Sequence, residues 1–405
     1  MTTGATATIP VARRVGGFVY AIRNIVSEAR KVEAGGQKVR YLNIGDPVAF
    51  GFQPPPHLVE AVTRAMRDGQ NAYTPSPGIL PAREAVAADF TARGVPMTPG
   101  RVLLTAGTSE GIELALGALV DPGDEVLVPV PTYPLYTAVL AKIDARAVFY
   151  RTDPARGWSA DLDHLRSLIT PKTRALVMID PNNPTGAVYS TEVRRALVDL
   201  ADRHNFVMLA DEVYGDLAYD GSVPPVAALD PRAPIISFSS LSKGYLAPGW
   251  RAGWLAVGQS ERLDAALAAI LKLADGRLCS NGPMQHAITA ALTGDRSHLV
   301  SLRAALAARA RVTSERLNAI DGISCVAPTA AFYAMPRVAL PPGRTDEDYV
   351  LALLRETGVL CVYGSGFGLP KEDGFMRVVF LAAPAELSAI YDDIATFTAD
   401  YLRRG

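Results

Sequence analysis

The sequence predicts an α/β fold in which a mostly parallel, seven-stranded sheet lies between helices, with a smaller α+β domain beside it. Seven short runs rich in apolar and β-forming residues carry the first part of this reading: VLLTAG, EVLVPV, RAVFYR, RALVMID, FVMLADE, IISFSS and WLAVG. Stretches with helical spacing, such as SEGIELALGALV and TEVRRALVDLADRH, separate several of them. Strands that alternate with helices build a parallel sheet covered on both faces. After about residue 300 the texture changes. A long Ala/Arg/Leu helix (299–319) leads to strand-like AFYAMPRV, VLCVYG and MRVVFLA, and a C-terminal helix spaces Leu387, Ile390, Ile394 and Phe397 on one face. The expected division is a large domain over 50–298 and a small one over 299–405, on which residues 1–49 pack through a helix near 18–34.

Length and composition narrow the function classes. A chain of 405 residues, 49% of them hydrophobic, can bury two cores. Its 40 basic and 41 acidic residues leave a net charge of −1, so bulk charge supports neither a nucleic-acid nor a membrane-surface role. The apolar run from Ala265 to Leu271 is too short to span a bilayer and ends at Lys272. The opening MTTGATATIPVARR lacks the apolar core of a secretory signal. Cys279, Cys325 and Cys361 have no metal-ligand spacing and read as reduced thiols of a cytoplasmic protein. The five histidines are scattered, so no metal site is expected.

A doubly covered parallel sheet binds ligands in the crevice beyond the carboxyl ends of its strands. TAGTS, VPTYP, DPNNPTG, DEVY and SSLSK each follow a strand run or overlap its end. In SSLSKGYLAPGWRAGW (239–254), Lys243 stands among three serines with Arg251 eight positions later. A lysine becomes a nucleophile toward carbonyls when burial or a neighbouring cation disfavours its ammonium form. Arg251, the serine hydroxyls Ser240 and Ser242, and glycine-flanked backbone N–H groups are donors suited to phosphate. Two unrelated surface cations would fit the same letters.

The other candidates carry competing readings of the same kind. Asp211, at the end of FVMLAD, either caps the next turn or sits beside a pyridine nitrogen and keeps it protonated; Tyr214 follows three residues on. DPNNPTG (180–186) is a rigid irregular turn that can aim the amide of Asn183 into the crevice. Thr108 and Ser109 in TAGTSEGIEL open a helix, and helix N-termini bind anions as well as needing caps. Tyr133 in VPTYP can stack on an aromatic ring or simply pack. Arg377, inside the apolar run FMRVVFLA, suits a carboxylate bidentately or a structural ion pair. YGSGFG (363–368) has alternating glycines but no following helix in a βαβ unit, which predicts a tight loop rather than a dinucleotide site.

Taken together and in this order, these pieces resemble the class I pyridoxal-phosphate aminotransferases of fold type I, the aspartate aminotransferase-like group. The resemblance runs from LNIGDP (42–47) through YTPSPGILPAREAV (73–86), DPNNPTG, ADEVY and SLSK to the arginine of FMRVV, and includes the eight-residue step from Lys243 to Arg251. It implies pyridoxal 5'-phosphate as cofactor, held by Lys243 as an internal aldimine. Asp211 would pair with the pyridine nitrogen, Tyr214 and Asn183 with the ring's phenolic oxygen, and Tyr133 would stack on the ring. Thr108, Ser109, Ser240, Ser242 and Arg251 would form the phosphate cup. Arg377, with Asn183, would grip the substrate α-carboxylate, and Gly45 would let backbone approach the substrate. Family members are typically homodimers with sites at the interface, where Tyr73 of the partner would reach the phosphate.

Within the family, KVRYLNIGDPVAFGF, DPNNPTGAVYS and RLCSNGPMQHA look most like bacterial alanine aminotransferases. That subgroup has an N-terminal Tyr-x-x-Arg near the site, matched by Tyr20 and Arg23. Arg277 lies near where aspartate-using relatives anchor a side-chain carboxylate, but the alanine-type resemblance carries an arginine there too. The implied activity is ping-pong amino transfer between an L-amino acid, alanine by this likeness, and a 2-oxo acid such as 2-oxoglutarate. The alternatives are aspartate, aromatic or branched-chain transfer, or a carbon–sulfur β-lyase on the same cofactor. A ligand sensor in a transcription regulator would need a helix-turn-helix domain ahead of motifs that begin near residue 40, which leaves no room for it.

Overall fold

In the computed structural model, residues 9–17 and 21–404 are described, without the side chains of 17 and 21–24. The central sheet contains β1 (Val102–Thr105), β2 (Glu125–Val130), β3 (Arg146–Asp153), β4 (Ser159–Ala160), β5 (Thr173–Ile179), β6 (Val207–Asp211), β7 (Ile235–Ser240) and β8 (Gly253–Val257). Their order across the sheet is β1-β8-β7-β6-β5-β2-β3-β4. The seven expected runs all form strands. The eighth, β4, is a two-residue edge strand pairing antiparallel with Thr152 and Asp153. No apolar run marks it, because an edge this short is defined by its ladder bonds alone.

Side chains alternate between two cores, as period-two strands buried on both faces require. In β5, Leu176 and Met178 enter one core while Ala175, Val177 and Ile179 enter the other. Trp254 and Ala256 of β8 likewise face away from Leu255 and Val257. Helices Thr108–Leu119, Leu135–Lys142 and Asp264–Asp275 cover one face, contributing Ile112, Leu116, Val139 and Ile270. Helices Pro56–Arg67, Leu80–Ala92, Thr191–His204 and Gly282–Thr293 cover the other.

A separate core joins helices Ala21–Ala34, His298–Asn318, Asp346–Thr357 and Pro384–Arg404. The stripe Leu387, Ile390, Ile394 and Phe397 is buried there. Antiparallel strands Tyr333–Ala334, Met376–Val379 and Val362–Tyr363 pack on these helices. The early segment is tied in by a parallel pairing of Arg40–Tyr41 with Val359–Leu360.

Strand direction decides where the chemistry lands. β2, β5, β6 and β7 run parallel, and β8 is antiparallel to both β7 and β1. β1 therefore points the same way as β7. The residues following β1, β2, β5, β6 and β7 all emerge at one edge, and β8 begins at that edge. Lys243 leaves β7 and Arg251 enters β8, so their eight-residue separation closes a loop over a single site.

Candidate active site

Along this edge lies a cavity of about 710 Å³, within the range of small-molecule sites. Gly45, Thr108, Ser109, Tyr133, Asn183, Asp211, Tyr214, Ser240, Ser242, Lys243, Arg251 and Arg377 all line it. Tyr73 does not; its side chain is 82% exposed on this chain. Tyr20 and the side chain of Arg23 lie outside the described residues. YGSGFG forms a short helical turn closed by Gly368 in the left-handed region, and its Phe367 packs 4.9 Å from the Arg377 guanidinium.

Lys243 Nζ donates to the carbonyl of Gly45 at 2.8 Å. Burial of the amine is the main force lowering its pKa to about 8; Asp46 opposes this, while Arg377 and Arg251 add to it. At that value about a tenth of the amine is neutral at pH 7 and about nine-tenths at pH 9. Reductive methylation of Lys243 in the cofactor-free protein, followed by mass spectrometry, should therefore rise about tenfold over that interval and level off. A rate that keeps climbing as for an exposed lysine would show that the amine is not desolvated.

Asp211 closes the floor. Its carboxylate is 4% exposed, accepts from the Tyr136 hydroxyl at 3.2 Å and from Val213 N–H at 3.4 Å, and burial raises its pKa to about 6. Lys243 pulls that pKa down only as the smallest of the named influences, and a protonated ring nitrogen would be a stronger cationic partner. Arg377, lining the same cavity, is 2% exposed. Its Nη1 donates to Asn183 Oδ1 at 3.2 Å and its Nη2 to the Asn43 carbonyl, while the guanidinium lies 4.9 Å from the Tyr333 ring. Asn183 is thus held by the arginine with which it shares the wall. The turn that presents it is pinned by Asp180, which pairs with Arg194 at 3.0 Å and accepts from Tyr189 N–H at 2.9 Å.

The anion cup is formed where β1, β7 and β8 meet. Gly107, at φ 78°, precedes the first turn of helix Thr108–Leu119, and a Cβ there would run into the Arg251 guanidinium, 2.7 Å from Cζ. Gly253 is similarly required, since a Cβ would come within 2.9 Å of both Gly107 and Ser240. Arg251 itself takes φ 53° and donates to the carbonyls of Pro248 and Ala106, each at 3.0 Å. Among the described residues, Thr108 Oγ1 is buried with no hydrogen-bond partner. A phosphate ester would satisfy that hydroxyl together with the free N–H groups of the helix start. The cup, the buried carboxylate and the amine fit pyridoxal 5'-phosphate.

Two tyrosines were not singled out by sequence. Tyr333 comes from the small α+β layer, is 2% exposed, and its hydroxyl lies 2.8 Å from that of Tyr214. Tyr136 lies on the helix after VPTYP and holds Asp211. Both sit in apolar runs, where a buried phenol needs a hydrogen-bond partner, but nothing local in the sequence names that partner.

An amine, an anion cup and a guanidinium thus share one cavity. Comparison with known proteins gives the family: residues 37–389 match aminotransferase class I and II, and the chain belongs to it. It is 40% identical over 394 residues to the alanine aminotransferase of Mycobacterium tuberculosis strain H37Rv, covering 95% of this chain and 91% of that one. It is 37% identical over 390 residues to the glutamate-pyruvate aminotransferase AlaA of Escherichia coli K12, covering 94% and 96%. The fold superposes on an alanine aminotransferase from Pyrococcus furiosus with a TM-score of 0.94 at 38% identity, covering 96% of this chain and all of that one (100%). The expected fold class and enzyme class are both borne out.

Proposed function

We propose that this aminotransferase exchanges the amino group between alanine and 2-oxoglutarate, and equally between glutamate and pyruvate, using pyridoxal 5'-phosphate. The observation that carries the reading is the placement of the Lys243 amine and the Arg377 guanidinium on one cavity floored by Asp211. When bound, the cofactor supplies an electron sink for the substrate Cα–H bond. Lys243 would hold its aldehyde, and Thr108, Ser109, Ser240, Ser242 and Arg251 its phosphate. Asp211 would keep the ring nitrogen protonated, Tyr133 would cover the ring, and Tyr214 and Asn183 would hold its phenolic oxygen.

Arg377, braced by Asn183, would orient the α-carboxylate so that Cα faces the lysine. Lys243, once released, would take the Cα proton and return it elsewhere on the same bound pair. Alanine as donor is supported by the names of the relatives, and by Arg277 being paired with Glu110 of its own chain. We infer a cytoplasmic homodimer in which Tyr73, exposed here, completes the partner's phosphate site. The three free cysteines agree with a reducing compartment, and no helix among the described residues is long and apolar enough to cross a membrane. The two layers with separate cores would act as domains dividing near residues 50 and 298.

Single-turnover spectroscopy tests the assignment. Alanine and glutamate should each convert the bound cofactor to its aminated form, with aspartate and aromatic amino acids slower, and steady-state kinetics should be ping-pong. Failure of both alanine and glutamate would sink the alanine-type reading while leaving the family intact. Release of ammonia and a 2-oxo acid without an amino acceptor would instead identify a β-lyase.

A further inference from the structure

We propose that Arg277 and Glu110 are positioning residues of the anion cup rather than a substrate anchor. The inference rests on the reading of that cup as the cofactor's phosphate site. Glu110 lies in the first turn of helix Thr108–Leu119. Its Oε2 accepts from the Ala106 N–H at 2.6 Å, and its Oε1 lies 3.0 Å from Arg277 Nε. Arg277 reaches further into the same loop, donating through Nη2 to the Leu104 carbonyl at 2.7 Å and, more weakly, to Ser76 at 3.4 Å. Ala106 is therefore held at both its peptide groups, its N–H by Glu110 and its carbonyl by Arg251 at 3.0 Å. That residue immediately precedes Gly107, whose lack of a side chain lets the Arg251 guanidinium close over the helix start.

Electrostatics assigns Arg277 a second task. A carboxylate in the first helical turn competes with any phosphate for the positive end of the helix. The pair is mostly sheltered, with side chains 17% and 23% exposed, so this repulsion is poorly screened by water unless a cation cancels it. Arg277 does so through Nε while its Nη2 is tied to the Leu104 carbonyl, so the planar guanidinium spans the carboxylate and the end of β1. The geometry thus lets Glu110 shape the loop without expelling the anion.

The test is titration of the cofactor-free full-length protein with pyridoxal 5'-phosphate, followed by alanine and glutamate half-reactions at saturating cofactor. Arg277→Gln should weaken cofactor binding about tenfold or more, leaving the ratio of glutamate to alanine KM within about twofold of wild type. Adding Glu110→Gln to that variant should recover part of the affinity, because the uncompensated carboxylate is gone. Arg277→Lys, which keeps the charge but not the fork, should fall between, at about a threefold loss; it also carries the test if Arg277→Gln does not fold. Wild-type affinity in both Arg277 variants, or a selective rise in glutamate KM with cofactor binding unchanged, overturns the proposal. If the wild-type protein itself takes up no pyridoxal 5'-phosphate, the cofactor reading fails first and this inference falls with it.

Discussion

Lys243→Ala is expected to lower kcat for amino transfer by about 10⁴-fold or more, and to remove the visible absorption that the lysine-linked cofactor would give. The size of the loss follows from two tasks resting on one amine. Among the described residues it is the only lysine lining the cavity, so no second amine of this lining can hold the cofactor aldehyde or move the substrate proton. Its hydrogen bond to the Gly45 carbonyl and its place 5.4 Å from the Phe332 ring fix where it waits. Burial does most to lower its pKa, with Arg377 and Arg251 adding to it, so reactivity does not rest on Arg251 alone. Lys243→Arg provides the control for charge and packing: it should fold and bind phosphate yet remain as inactive as the alanine variant. Turnover in either variant above about one part in a thousand would remove Lys243 from the role of proton carrier.

Asp211→Asn should move activity and stability in opposite directions. Loss of the negative charge under the ring nitrogen should lower kcat by roughly 10²- to 10³-fold, the usual cost of deleting a preorganised electrostatic contact. The cofactor-free protein should become more stable. The folded pKa of Asp211, about 6, lies above its ordinary 3.8, so the folded state binds its proton more tightly than the unfolded chain. The resulting cost is absent below about pH 4, grows as pH rises through 4 to 6, and is complete above that. Removing it is worth about 3 kcal/mol at pH 7.5, read as a higher denaturation midpoint for the variant without cofactor. At pH 4 the two proteins should melt alike. A variant that is less stable than wild type at pH 7.5, or fully active, contradicts the placement of an uncompensated carboxylate at the floor.

The fold and much of the cavity were legible because parallel strands order their own loops. Once seven apolar runs are read as strands separated by helices, every residue just beyond a run is assigned to one edge without knowledge of side-chain contacts. Lys243, Asp211, Asn183, Thr108 and Tyr133 were found this way, and Arg251 followed from its distance to Lys243. The contacts that arrange them were not legible, because they join segments far apart in the chain. Arg377 meets Asn183 across 194 positions, Tyr214 meets Tyr333 across 119, and Lys243 meets Gly45 across 198. None of these has a local signature. The strand β4 escaped for the opposite reason, being too short and too near an edge to leave a pattern. Arg277 had a sequence signal, but its partner Glu110 lies on another element, so a cation near the site could not be assigned a direction.

The reversed strand β8 has a consequence for how this chain can change in length. Gly253 pairs with both Thr105 and Ser240, so the start of β8 is clamped between two neighbours at the rim of the sheet. The connection from Ser240 to Gly253 carries the lysine near one end and the arginine near the other, and both ends are fixed. One added or deleted residue would have to be absorbed between them, turning either the amine or the guanidinium away from the cavity. Surface turns elsewhere, such as the exposed stretch at 342–344, face no such constraint. Random insertion should therefore be tolerated at that turn and lethal to activity between 241 and 252, even where the inserted protein still folds.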